Sequence, residues 1–101
     1  MSETQQNISE FIDSLKKFAN AVPEIKQIIL FGSFSRGDAN GHSDIDLAFV
    51  LTDESVWSRI ALDLRETARS LRRLDLVSLA SVSPDFRAKI LLEGKTIYER
   101  K

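Results

Sequence analysis

Hydrophobic positions along the chain recur with two different periods, and the two periods predict two kinds of element. Apolar residues spaced three and four apart predict three helices. They are Ser9–Asn20, Glu54–Leu71 and a short helix that starts at Ser83-Pro84 and is ended by Gly94. Continuous or alternating apolar runs predict four strands. They are Glu24–Phe31, Asp44–Leu51, Leu74–Ala80 and Thr96–Glu99.

The connections between these elements are short, and one of them is unusual in composition. Gly32 breaks the first strand, and Ser33–Arg36 is predicted to begin a short helix. The stretch Gly37–Ser43 is dense in turn-forming residues and is predicted to be a loop. Helices therefore alternate with strands, which predicts an α/β fold with a mixed sheet of about four strands and flanking helices.

Composition narrows the class of protein without identifying it. The 101 residues suffice for one domain, residues 1–101, and the net charge of -1 gives no basic surface for direct nucleic-acid binding. Without cysteine, disulfides and thiolate metal sites are excluded. Because the N-terminus is polar and no apolar run is long enough to cross a bilayer, we expect a cytoplasmic protein without membrane contact.

Three aspartates interrupt the predicted strands. Asp44 and Asp46 are two residues apart, so in a strand they share a face about 6.7 Å apart. Magnesium binds carboxylate oxygens at about 2.0–2.1 Å, and paired catalytic ions lie about 3.5–4 Å apart. The two carboxylates can therefore bridge one ion or share two. Asp75 lies in another apolar strand, and the three carboxylates converge if that strand neighbours the second.

The Gly32-Ser33 corner and Arg36 add groups that bind anions. A turn from strand to helix leaves backbone N–H groups free, glycine admits a phosphate close to the main chain, and serine adds a hydroxyl donor. Arg36 supplies a charged donor to phosphate. Together with the acids, this pattern predicts transfer of a nucleoside monophosphate from a triphosphate to a hydroxyl. Asp75 would accept the proton of that hydroxyl or orient it.

The combined pattern resembles the DNA polymerase β-like nucleotidyltransferase superfamily. The matching residues are Gly32-Ser33, ten intervening residues, Asp44-Ile45-Asp46 and then Asp75. Arg36-Gly37, Ser43 and the ending from Ile90 to Tyr98 are similar to the minimal nucleotidyltransferase (MNT) group. The resemblance implies a polymerase β-like fold with Gly32, Ser33 and Arg36 at the nucleotide. It also implies that Asp44, Asp46 and Asp75 bind Mg²⁺, as two ions.

The resemblance further implies a partner. Such proteins are commonly encoded beside a HEPN-domain ribonuclease, as the antitoxin of a type VII toxin–antitoxin pair, and transfer AMP from ATP to a tyrosine hydroxyl of the toxin. Many relatives carry Arg-Ala where this chain has Phe34-Ser35, which removes one phosphate or partner contact but no metal ligand. Larger relatives add a helical acceptor-binding domain, so here the acceptor surface is expected to come from the partner.

Two other functions remain open from the residues alone. One is a non-catalytic antitoxin that neutralises a HEPN ribonuclease by complex formation. The other is nucleotidyl transfer to a small-molecule hydroxyl. The predicted final strand, which carries Tyr98, would leave a sheet edge for a homodimer or a hetero-oligomer.

Overall fold

The computed structural model describes residues 3–32, 35, 37, 44–67 and 73–100. Three α-helices and four strands lie along these residues. The helices are α1 (Glu3–Ala21), α2 (Trp57–Thr67) and α3 (Pro84–Glu93). The strands are β1 (Ile25–Phe31), β2 (Ile45–Leu51), β3 (Leu74–Ser78) and β4 (Lys95–Glu99).

The strands form one mixed sheet in the order β3-β2-β1-β4. Strand β1 pairs antiparallel with both β2 and β4, whereas β2 and β3 run parallel. The predicted α/β class with a mixed four-stranded sheet and flanking helices is confirmed, and β4 lies at an edge as expected. No helix within the described ranges is both long and apolar enough to cross a bilayer.

A large hydrophobic core fills one face of the sheet, under α1 and α2. Its helical members lie at spacings of three or four residues, which places them along one stripe of each helix. Helix α1 contributes Phe11, Leu15 and Ala19, and α2 contributes Ile60 and Leu64. The sheet contributes Ile25, Ile28, Leu30, Ile45, Leu47, Phe49 and Leu76. The ring of Phe49 is fully buried and packs against Trp57, with ring centroids 5.3 Å apart.

The opposite face of the sheet carries a smaller apolar cluster under α3. Its buried members are Ile29, Phe31, Ala48, Leu79 and Ile90. Because side chains alternate along a strand, Ala48 lies on this face while its neighbours Leu47 and Phe49 enter the large core. The predicted alternation along the second strand is therefore observed.

Helix α3 begins and ends where the sequence predicts. The hydroxyl oxygen of Ser83 accepts a hydrogen bond from the N–H of Phe86, and Pro84 occupies the first turn. At the other end, the N–H of Gly94 donates to the carbonyl oxygen of Ile90. The backbone of Gly94 is extended (φ -76°) rather than left-handed, so glycine is needed here for its small size and not for its conformational freedom. A β-carbon there would collide with Cγ2 of Ile29 on β1.

Two helices start at residues other than those predicted. Helix α1 starts at Glu3 rather than Ser9. The segment predicted as a helix from Glu54 opens with a 3₁₀ turn, whose first N–H groups are met by Asp53, before α2 begins at Trp57. Residues 68–71 of that predicted helix lie outside the described residues, as do most of the predicted short helix and loop between β1 and β2.

The third predicted strand stops at Ser78 instead of Ala80, and an arginine explains the early end. The guanidinium of Arg87 donates hydrogen bonds to the carbonyl oxygens of Leu79, Ala80 and Val82. These carbonyls are therefore satisfied by a side chain of α3, and the chain turns through a 3₁₀ segment at Leu79–Ser81.

Candidate active site

Asp46 and Asp75 lie side by side on neighbouring strands. They are register partners in the parallel pairing of β2 with β3, so their side chains leave the same face of the sheet. That face is the one carrying the small cluster, because Leu76 beside Asp75 enters the large core. Asp46 is half-buried and Asp75 is exposed. The parallel pairing thus brings together two carboxylates that are far apart along the chain.

Asp44 stands at the entrance to β2, two residues before Asp46. It is exposed and lies just before the first paired residue of the strand. In the part of the chain that the structure describes, no three His, Cys, Asp or Glu side chains are grouped closely enough to hold a metal ion. The structure therefore brings Asp46 and Asp75 into one row and leaves Asp44 adjacent to that row.

This donor set suits magnesium in the presence of a phosphate ligand. Magnesium prefers oxygen ligands and is usually held by one or two carboxylates, with waters and substrate phosphates completing the shell. A pair of carboxylates one strand spacing apart meets that requirement without an all-protein cage. Two negative charges about 5 Å apart repel by about 1 kcal/mol in water and about 3 kcal/mol at an effective dielectric constant of 20. A cation between Asp46 and Asp75 would remove that cost.

Gly32 brings the main chain against the Asp46 carboxylate. Its φ of +74° lies in the left-handed region that favours glycine. A β-carbon at this position would also collide with Oδ2 of Asp46. The turn is closed by Ser35, whose N–H and hydroxyl both donate to the carbonyl oxygen of Gly32, at 3.1 and 2.9 Å. Only glycine satisfies both constraints, which places the predicted corner beside the predicted acid.

Ser33 and Arg36, the other two residues predicted to bind the nucleotide, lie outside the described residues. Their roles stay predictions.

An aromatic pair borders the carboxylates and was not singled out from the sequence. Phe31 is the register partner of Asp46 across the β1–β2 pairing, so it shares the carboxylate face. Its ring meets Phe86 of α3 edge to face, with centroids 5.7 Å apart and planes at 81°. Phe31 is buried, but Phe86 is 38% exposed. The sequence signal was an aromatic residue in the first turn after a Ser-Pro cap, which helical spacing alone attributes to the core.

Comparison with known proteins agrees with this geometry. Residues 13–101 match the family described as Polymerase beta, Nucleotidyltransferase. The match covers most of the chain, so this protein belongs to the polymerase beta nucleotidyltransferase family. The predicted family resemblance is confirmed.

Two curated relatives carry a more specific name. The chain is 27% identical over 99 residues to the "Putative protein adenylyltransferase MJ0604" of Methanocaldococcus jannaschii, covering 93% of this chain and 97% of that protein. It is 30% identical over 86 residues to the protein adenylyltransferase MntA of Shewanella oneidensis. That alignment covers 83% of this chain but 61% of MntA, so this chain spans about three fifths of the longer relative.

A solved structure shares the architecture. It is the crystal structure of a toxin–antitoxin with AMP-PNP, with a TM-score of 0.70 and 26% identity. The superposition covers 89% of this chain and 74% of that chain.

Proposed function

We propose that this protein is a Mg²⁺-dependent protein adenylyltransferase that transfers AMP from ATP to a tyrosine hydroxyl of a HEPN-domain toxin and so acts as an antitoxin. The observation that carries the proposal is the row formed by Asp46 and Asp75, closed at one end by Gly32. The names of the two relatives support transfer of AMP to a protein, and the neighbour solved as a toxin–antitoxin with AMP-PNP supports an adenine nucleotide as substrate and a toxin as partner. A cytoplasmic location fits this role.

Each residue of the candidate site has its own role in the proposed reaction. Gly32, Ser33 and Arg36 would hold the triphosphate, with glycine allowing its close approach to the main chain. Asp46 and Asp75, with Asp44 beside them, would hold Mg²⁺ as one or two ions. When bound, Mg²⁺ neutralises negative charge on the phosphates. Asp75, the more exposed of the paired acids, faces solvent where an acceptor hydroxyl can approach.

The chemical step is an in-line displacement at the α-phosphorus of ATP. A bond forms between the tyrosine oxygen and the α-phosphorus, and the bond from that phosphorus to the bridging oxygen of the β-phosphate breaks. The bridging oxygen leaves with the electron pair as part of pyrophosphate. The hydroxyl proton passes to Asp75 acting as general base.

The proposal is tested by incubating the chain with α-labelled ATP, Mg²⁺ and its HEPN partner. We expect label on the partner, loss of label with EDTA, and loss of the partner's ribonuclease activity in step with labelling. Inhibition of the ribonuclease without label would overturn the proposal in favour of neutralisation by complex formation. Label on a small alcohol acceptor but not on the partner would favour a small-molecule nucleotidyltransferase.

A further inference from the structure

The ring of Phe86 is exposed at the margin of the carboxylate row. Phe86 lies in the first turn of α3, and its backbone N–H is fixed by the Ser83 cap. Its ring contacts Phe31, which itself lies next to Asp46 in the sheet. Adjacent strands are about 4.8 Å apart. Phe86 therefore stands within roughly 10 Å of the Asp46 side chain, estimated from one strand spacing and one ring contact.

The geometry of the aromatic pair leaves part of the Phe86 ring accessible to a ligand. Rings at 81° do not cover each other as a parallel stack would, so Phe31 takes up at most one face of Phe86. Phe31 is only 7% exposed and anchors the pair in the small cluster. The helix cap and this anchor hold Phe86 in place, while 38% of it remains accessible. A fixed, accessible aromatic ring is a platform for a flat ligand.

We infer that Phe86 stacks against the nucleobase of the ATP whose phosphates occupy the Asp46–Asp75 row, an inference that rests on the proposed function. A nucleotide held by its phosphates at the carboxylates extends its base away from them, and the exposed ring on the same face offers it an aromatic surface. Stacking of a base on an aromatic side chain is sequence-tolerant. Phe86 is thus a positioning residue for the nucleotide and strengthens binding of any purine triphosphate.

The test compares binding of ATP with binding of inorganic tripolyphosphate, both with Mg²⁺, by calorimetry on the full chain. Tripolyphosphate has no base, so it reports the phosphate and metal site alone. Phe86→Leu keeps an apolar contact with Phe31 but removes the aromatic face. We expect it to weaken ATP binding roughly 5- to 160-fold, the range for loss of one base stack, and to leave tripolyphosphate binding unchanged.

Two variants control for structural effects. Phe86→Trp preserves an aromatic face and should restore ATP binding to within about threefold of the unsubstituted protein, given the tolerance of stacking platforms. Leu92→Ala shortens an 86% exposed apolar side chain on the same helix and should change neither affinity. Thermal unfolding of each variant shows whether α3 remains folded.

Each outcome decides between the two proposals. Equal weakening of both ligands by Phe86→Leu, or no effect on either, would overturn the stacking role while leaving the proposed function standing. Failure of the unsubstituted protein to bind either ligand would overturn the proposed function and the stacking role with it. A selective loss for ATP that Phe86→Trp repairs supports the inference.

Discussion

The two faces of the sheet differ in the size of the hydrophobic core that covers them and in their chemistry. We call the face under α1 and α2 the thick face and the face under α3 the thin face. One face is covered by α1 and α2 and buries most of the large side chains. The other is covered by α3 and a 3₁₀ turn, and its cluster has five buried members. Arg100 donates to the carbonyl oxygens of Ala19 and Val22 at the C-terminal end of α1 and of Ile25 at the start of β1. Arg87 donates in the same way to carbonyl oxygens of the turn after β3.

Because of this difference, the residues that stabilise the fold and the residues of the candidate site lie mainly on opposite faces. Burial of apolar surface is the main stabilising contribution to a fold, so the thick face should provide most of the free energy of folding. The thin face carries the row of Asp46 and Asp75 at the end of the sheet where β1 finishes and β2 and β3 begin. Acidic residues can be placed there because the core does not depend on them. Substitutions on the two faces should therefore have different consequences.

The largest effect is expected on the thin face, at Asp46. Asp46→Asn keeps the shape of the side chain and its contact with Gly32 but removes the negative charge. In the proposed function Asp46 is a metal ligand, and loss of such a ligand forfeits several kcal/mol of transition-state stabilisation, so AMP transfer should fall by roughly 10³-fold or more. Asp44→Ala should also abolish transfer. Labelled ATP with the HEPN partner measures this, with thermal unfolding expected to be nearly unchanged.

Asp63→Asn is the matched control for this loss. Asp63 is an exposed acid on α2, which covers the opposite face, so the same substitution there should leave transfer intact. Retained transfer in Asp46→Asn would show that the metal ligands are wrongly assigned.

Substitutions on the thick face should lower the stability of the protein instead. Phe49→Ala removes a fully buried ring and should lower the free energy of unfolding by about 3–5 kcal/mol, out of about 5–15 kcal/mol for a domain of this size. On the thin face, Val77→Ala removes half-buried methyl groups and should cost about 1 kcal/mol. Urea denaturation measures both. Equal losses would mean that the two faces contribute equally to folding.

Gly32 affects both the stability of the fold and the transfer of AMP, and its substitution should reduce transfer more than stability. Gly32→Ala introduces strain of about 1–2 kcal/mol at a positive φ and pushes the Asp46 carboxylate aside. A displacement of about 1 Å at a reacting centre costs roughly 10²-fold in rate. Transfer assays and thermal unfolding on the same preparation separate the two effects.

Gly37→Ala provides the comparison, since Gly37 also has a positive φ (+82°), but among the described residues, its chain neighbours aside, no atom lies within 4 Å of the place that a β-carbon would take. It should carry the backbone strain without displacing the carboxylate. A similar loss of transfer in both variants would mean that strain in the turn, and not the contact with Asp46, explains the effect.

The smallest effect is a pH-dependent change in stability at Asp53, which caps the 3₁₀ turn before α2. Hydrogen bonds from the Ser55 hydroxyl and then from its backbone N–H lower the pKa of Asp53 below its ordinary value. A lowered pKa in the folded state contributes stability that is present above the unfolded-state pKa, about 3.9, and is lost as the pH falls through the folded-state value. Thermal unfolding should therefore show a small advantage of the unsubstituted protein over Asp53→Asn at pH 7.

The advantage should disappear once the pH lies below the lowered pKa of Asp53 in the folded state, because the carboxyl is then protonated in both states. Asparagine keeps an oxygen acceptor for the cap but does not ionise, so it isolates the charge. A difference that persists unchanged at low pH would show that the carboxylate acts through its shape alone.

Most of the elements were predictable because their signals are local. The Ser83-Pro84 cap, the strand ending at Phe31 and the stripe of Phe11, Leu15 and Ala19 depend on neighbouring residues, and all appear where expected. The end of β3 at Ser78 was not predictable, because it depends on an arginine that reaches back from α3. The need for glycine at position 94 likewise depends on Ile29 of β1, which a β-carbon there would meet.

The sequence by itself determined the residue types of the site, their spacing along each strand and the two periods that build helices and sheet. These follow from short-range backbone geometry, which each segment carries with it. Only the tertiary structure decided that Asp75 is the register partner of Asp46 and that Phe86 reaches Phe31. Register is fixed when both faces of the sheet are buried at once, because a slip of one residue would turn every core side chain outward.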